Sequence, residues 1–183
     1  MPDSTTATSL VPLLSAFGGY LIAAVTEYLR DQRARTRERE ARAEARKLQL
    51  FERRSDFQRE TLLTLQEAVL QLARAAGRAH HLDEMEFRKT GKWGGNLYPE
   101  DLDNAAHDAS VKTLMYMMRV RDDDVRELMK KFREHANQVG ICRSREQSTQ
   151  AIQEAIAVSE PLHERIGLIL RKLDDDETLG LPR

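Results

Sequence analysis

Cysteine, proline, glycine and aromatic side chains are all scarce in this chain. Its 183 residues include one Cys, five Pro and nine Gly, and aromatics make up 5%. A single cysteine excludes a disulfide-stapled scaffold. So little proline and glycine excludes a collagen-like or Pro/Gly-rich disordered chain. An all-β sandwich would need many turn residues and more aromatic and β-branched side chains. What the chain does have is Ala, Leu, Glu, Gln and Arg, the residues of long helices. The fold class predicted is therefore all-α.

Charge is plentiful, at 32% of residues, and nearly balanced at −1 overall. Its distribution is uneven. Residues 1–29 carry only Asp3 and Glu27. Residues 30–59 hold eleven Lys/Arg against six Asp/Glu, and residues 60–183 hold eighteen against twenty-two. A neutral opening, a basic stretch and a mildly acidic body suggest three functional parts.

The opening stretch has no charge from Ser4 to Thr26, 23 residues. As a helix, Leu10 to Leu29 would be about 30 Å long, the thickness of a bilayer's hydrocarbon core. Pro12 falls in the first turn, where its missing N–H costs little. The run lacks the basic leader of a cleaved signal peptide. We therefore read 10–29 as a transmembrane helix and 1–9 as a short extracytoplasmic N-terminus. Eight Lys/Arg follow within 30–47 and none precedes the span, which places the C-terminal side in the cytoplasm. The lone Cys142 agrees with a reducing compartment. Within the span, Ser15, Gly19 and Ala23 repeat every four residues and would let two membrane helices approach closely.

Residues 30–47 read as a charged helical stalk with no apolar face. Arg30, Arg33, Arg35, Arg37 and Arg39 are candidates for contact with an anionic membrane surface, each worth about 1 kcal/mol close to the headgroups. Asp31, Glu38, Glu40 and Glu44 interrupt the basic run and argue against nucleic acid as a partner.

From Leu48 the pattern changes to that of a helix facing a core. Leu48, Phe51, Ser55, Gln58, Leu62, Leu65, Val69, Leu72, Ala76 and Ala79 alternate spacings of three and four, with Leu63 and Leu70 widening the stripe. Three glycines, an Asn and Pro99 mark a turn at 91–98. Val111, Leu114, Met118, Arg121, Val125, Leu128, Phe132, His135 and Val139 keep the same alternation across Asp122–Asp124, which predicts one helix over 100–139 ending at Gly140. Ser144 and Gln147 form a capping-box pattern. Ile152, Ile156, Ser159, Leu162, Ile166, Ile169 and Leu173 mark a third helical face, kinked at Pro161. The expectation is an antiparallel three-helix bundle over 48–173 and an irregular tail over 174–183. Met115, Met117, Met118 and Met129 are expected to fill its core.

No catalytic constellation is present, so no enzyme activity, cofactor or metal is expected. His80, His81 and Glu84 are the best metal candidates, since a helix can present two of them one turn apart. Nothing elsewhere completes a di-metal set. Trp93 and Tyr98 either cap the bundle's end or form a partner-binding tip.

The segment Phe57-Gln58-Arg59-Glu60-Thr61-Leu62-Leu63-Thr64-Leu65-Gln66-Glu67-Ala68, with the preceding Arg/Glu-rich stretch and apolar run, resembles a loose group of uncharacterised bacterial single-pass membrane proteins. The resemblance covers about the first half of the chain and implies an anchored helical stalk but no activity. The function expected is a membrane-anchored cytoplasmic helical scaffold or protein-interaction module, in contact with the bilayer and with a protein partner or a second copy. The alternatives are a soluble helical-bundle metal-binding enzyme and a helical nucleic-acid-binding regulator.

Overall fold

The computed structural model describes residues 10–94 and 97–178, with side chains described from residue 26 onward. Among these residues there are four helices and no strand: α1 (Leu10–Thr90), α2 (Glu100–Met117), α3 (Asp123–Val139) and α4 (Arg145–Thr178). The chain divides into two compact units, Met1–Leu50 and Phe51–Arg183.

In the first unit, every described side chain from Thr26 to Leu50 is exposed. With no face to bury, this part of α1 relies on propensity and on pairs one turn apart. Arg35 pairs with Asp31 at 3.0 Å and Arg42 with Glu38 at 2.6 Å. Such exposed pairs contribute a few tenths of a kcal/mol each. Among the described residues no helix is long and apolar enough to cross a membrane. The side chains of residues 10–25, which make up most of the expected span, lie outside the described residues. The packing candidates Ser15, Gly19 and Ala23 lie there too.

The second unit is a four-helix bundle, not the three-helix bundle expected. Its order follows from side chains that cross between elements. Gln58 of α1 meets Arg119 and Arg121 beyond the end of α2, while Arg78 of α1 pairs with Asp101 at the start of α2. Ser110 of α2 meets Asn137 of α3. Asp122 at the start of α3 meets Arg165 of α4, and His135 lies beside Glu154. His80 meets Ser148, and Arg59 meets Asp174 and Glu177. Each consecutive pair therefore runs antiparallel, and α4 returns alongside α1 to close an up-down-up-down bundle.

The expected single helix over 100–139 is two helices, broken at 118–122. The break is chemical. Asp122 adopts an extended backbone (φ −76°, ψ 122°) and its Oδ1 accepts a hydrogen bond from the Val125 N–H at 3.0 Å. Aspartate is among the best N-caps because it satisfies a first-turn donor with its own side chain. Asp123 and Asp124 then sit in the first turn, where negative charge suits the helix dipole. Gln58, buried on α1, clamps the turn: its Nε2 donates to the Arg119 carbonyl at 3.1 Å and its Oε1 accepts from the Arg121 N–H at 3.2 Å.

The core matches the expected α1 stripe from Ser55 to Ala79. Leu62, Leu65, Val69 and Leu72 meet Val125, Met129 and Phe132 of α3 and Leu162 and Ile166 of α4 in one apolar cluster. Leu63 and Leu70, expected to widen the stripe, are exposed instead. On α2 the correction is larger. Leu102, Ala109, Thr113 and Met117 are the buried residues. Val111, Leu114 and Met118, expected in the core, face outward. Met115 and Met118 are exposed, while Met117 and Met129 are buried.

α4 opens as foreseen, with Ser144 Oγ accepting from the Gln147 N–H. The reciprocal bond is shifted by one residue, since Gln147 Oε1 accepts from the Arg143 N–H. The helix runs through Pro161, which is exposed, as is Ala157 whose carbonyl loses its donor, so water can take that bond. It continues past Leu173 to Thr178. The expected irregular tail is thus helical over 174–178. Arg59 Nη2 reaches both Asp174 and Glu177 at 2.8 Å, which offsets the repulsion of these acids from the helix C-terminus.

Candidate functional site

The sequence places its candidate residues around the end of α1, and the structure shows how they are used. The last turns of α1 present Asp83 on the same face as Ala76 and Ala79, so it is buried at 2% exposure. A buried carboxylate needs a donor. Tyr98, just before α2, supplies one: its hydroxyl donates to Asp83 Oδ2 at 2.5 Å. Burial, then this contact with a carboxylate, push the Tyr98 phenol well above its ordinary range. The loop can make this approach because Gly91 and Gly94 both take φ +69°, a left-handed conformation that side chains other than glycine rarely adopt. A Cβ on Gly94 would also stand 3.4 Å from the Cys142 carbonyl oxygen.

His80 and Glu84 lie one turn apart on the side of α1 that faces α4. His80 Nδ1 lies 2.9 Å from the buried Ser148 Oγ, and the tautomer decides which of them donates. Its ring sits 5.7 Å from that of Trp93, which also meets Phe87 edge-on at 6.1 Å. Glu84 is held by a guanidinium fork from the start of α4: Arg145 Nε donates to Oε2 and Nη2 to Oε1, each at 2.7 Å. Arg88 adds a third bond at 3.1 Å. The Arg145 bonds, with Arg88 supporting, hold the Glu84 carboxyl below its ordinary range. His81 is exposed.

These bonds bear on the metal candidates. Glu84 spends both oxygens on arginines, and His80 spends Nδ1 on Ser148. Among the described residues no group of three or more His, Cys, Asp or Glu could hold a metal ion. Trp93 and Tyr98 are half-buried and turn inward against His80, Phe87 and Asp83. This region locks the end of α1 to the start of α4 and to the connecting loop. Its one hydroxyl–imidazole pair among the described residues, Ser148 with His80, is closed off from solvent at the serine, which is fully buried.

Five residues that build the region were not singled out in the sequence: Asp83, Phe87, Arg88, Arg145 and Ser148. Asp83 carries a signal that sequence could have shown, because it continues the Leu72, Ala76, Ala79 spacing with a carboxylate at a core position. Arg145 and Ser148 carry none, since only the closure of the bundle brings α4 beside α1.

Cys142 is buried, donates to the Gln138 carbonyl, and is pushed up in pKa by burial. The stalk arginines are all exposed. Arg35 pairs with Asp31, while Arg30, Arg33, Arg37 and Arg39 have no carboxylate within ion-pair distance among the described residues. They present positive charge to solvent.

No family model, curated protein or solved structure matches this chain.

Proposed function

We propose that this chain is a membrane-anchored cytoplasmic helical scaffold or protein-interaction module. One observation carries the reading: an uncharged run from Ser4 to Thr26 is followed, after Glu27, Tyr28 and Leu29, by the basic, fully exposed helical stretch that begins at Arg30. An apolar segment of that length prefers hydrocarbon to water, and the arginines that follow prefer an anionic headgroup surface. The side on which those arginines fall sets the orientation, with the bundle in the cytoplasm. The bundle supports a binding role through its surface, since its polar clusters tie helices together rather than assemble a reaction centre.

Membrane fractionation of the full chain and of a variant lacking residues 1–29 tests this. The full chain should sediment with membranes and resist an alkaline carbonate wash, and the shortened one should not. Recovery of both in the supernatant would remove the anchor and the address together.

A further inference from the structure

We propose that the outward face of α2 and the groove it forms with α1 dock an acidic, amphipathic helix of a partner protein. This rests on reading the bundle as an interaction module. The residues on this face follow the rule for a buried helix face. Val111, Met115 and Met118 stand at i, i+4 and i+7, with Leu114 between them, which is the spacing by which one helix packs on another. Yet all four are exposed, at 43%, 50%, 71% and 39% for Val111, Met115, Met118 and Leu114. The face that α2 turns to its own core is built from Leu102, Ala109, Thr113 and Met117 instead. α2 therefore has two apolar faces, and the bundle covers one.

Beside the uncovered face lies a groove of about 620 Å3 between α1 and α2. Ala75, Leu102 and Val111 contribute apolar lining, and Arg74, Arg78 and Lys112 contribute positive charge. Asp108 is the one carboxylate among its lining residues. Arg78 is matched by Asp101 at 2.8 Å. Arg74, Lys112, Arg119 and Arg121 have no carboxylate within ion-pair distance among the described residues. Arg119 instead lies over the Tyr116 ring at 5.1 Å. In the groove the unmatched cations Arg74 and Lys112 outnumber the carboxylate Asp108, which calls for a partner with an apolar seam and acidic flanks. Unbranched, polarizable methionines at the seam suit a partner helix that must be accommodated rather than fitted rigidly.

A lipid surface is the competing occupant, and one feature disfavours it: the seam lacks the Trp or Phe that anchors an interfacial helix.

The test uses the full chain in a neutral detergent and two labelled synthetic helical peptides. Both carry leucines at i, i+4 and i+7; one has glutamate flanks and the other lysine flanks. Fluorescence anisotropy should show binding of the glutamate peptide only. Met115→Ala with Met118→Ala should weaken it by roughly tenfold or more, as for loss of central apolar contacts. Arg74→Glu with Lys112→Glu should abolish it and bring in the lysine peptide. All four side chains are at the surface, and unchanged Trp93 emission would show each variant folded. Three results would overturn the proposal: equal binding of the two peptides or of neither; self-association that Met118→Glu abolishes, which would make a second copy the occupant; or phosphatidylserine vesicle binding by the bundle that Met115→Ala abolishes. Each leaves the fractionation result untouched, so failure of the groove and failure of the anchor are separable.

Discussion

Replacing Asp122 tests the break that turns three helices into four. This residue does two things in the structure. Its Oδ1 caps α3 by accepting from the Val125 N–H, and its carboxylate takes a two-pronged contact from Arg165 of α4, at 3.2 Å and 2.7 Å. Loss of an Asp N-cap to alanine costs about 1 kcal/mol. The ion pair adds less than about 1 kcal/mol, because Arg165 is substantially exposed. Asp124 also lies 3.1 Å from Arg165 and retains part of that contact. Asp122→Ala should therefore destabilise the bundle by about 1.5 kcal/mol. Asp122→Asn keeps the cap and loses the charge, so it should cost about 0.5 kcal/mol. Urea unfolding followed by the emission of Trp93, the one tryptophan, reads the bundle directly. Acid supplies a second check. The Arg165 guanidinium, with the Val125 N–H, holds the Asp122 carboxyl below its ordinary range. Its contribution is then present above the unfolded value, about 3.9, and is lost as pH falls through the lower folded value. The stability gap between the native chain and Asp122→Asn should shrink as the pH drops below about 4. A cost under about 0.5 kcal/mol for Asp122→Ala, or equal costs for the two variants, would refute the cap as the cause of the break.

Other expectations follow from the same contacts. Tyr98→Phe removes the hydrogen bond to the buried Asp83 Oδ2 and should cost about 1–3 kcal/mol in urea unfolding, with Trp93 emission shifting as its loop loosens. Cys142 should react slowly with a thiol reagent at neutral pH and quickly in denaturant, because burial both shields it and raises its pKa. Arg59→Ala should change global stability by less than about 1 kcal/mol. It should nonetheless speed amide exchange at the end of α4, where Asp174 and Glu177 would lose their counterion.

Sequence alone determined the helical class, the α1 core stripe except at its expected start, where Leu48 is exposed, the turn at the glycines before Pro99, and the start of α4 at Ser144. These are local matters: a period of three and four, a glycine that can turn left-handed, and a hydroxyl that caps. The same periodicity could not see the break at Asp122. The spacing from Met118 to Val125 is seven residues, so the alternation runs on unbroken while the chain reverses direction. Nor could it choose between the two faces of α2. Val111, Leu114 and Met118 read as core, yet the small residues Ala109 and Thr113 face inward, because helices that pack closely need little side-chain volume between them. Only the tertiary structure decided which stripe is buried, and with it that Val111, Leu114 and Met118 face solvent. The pairing of His80 with Ser148 and of Glu84 with Arg145 was likewise hidden, since those contacts span more than sixty residues of sequence and arise when α4 closes on α1.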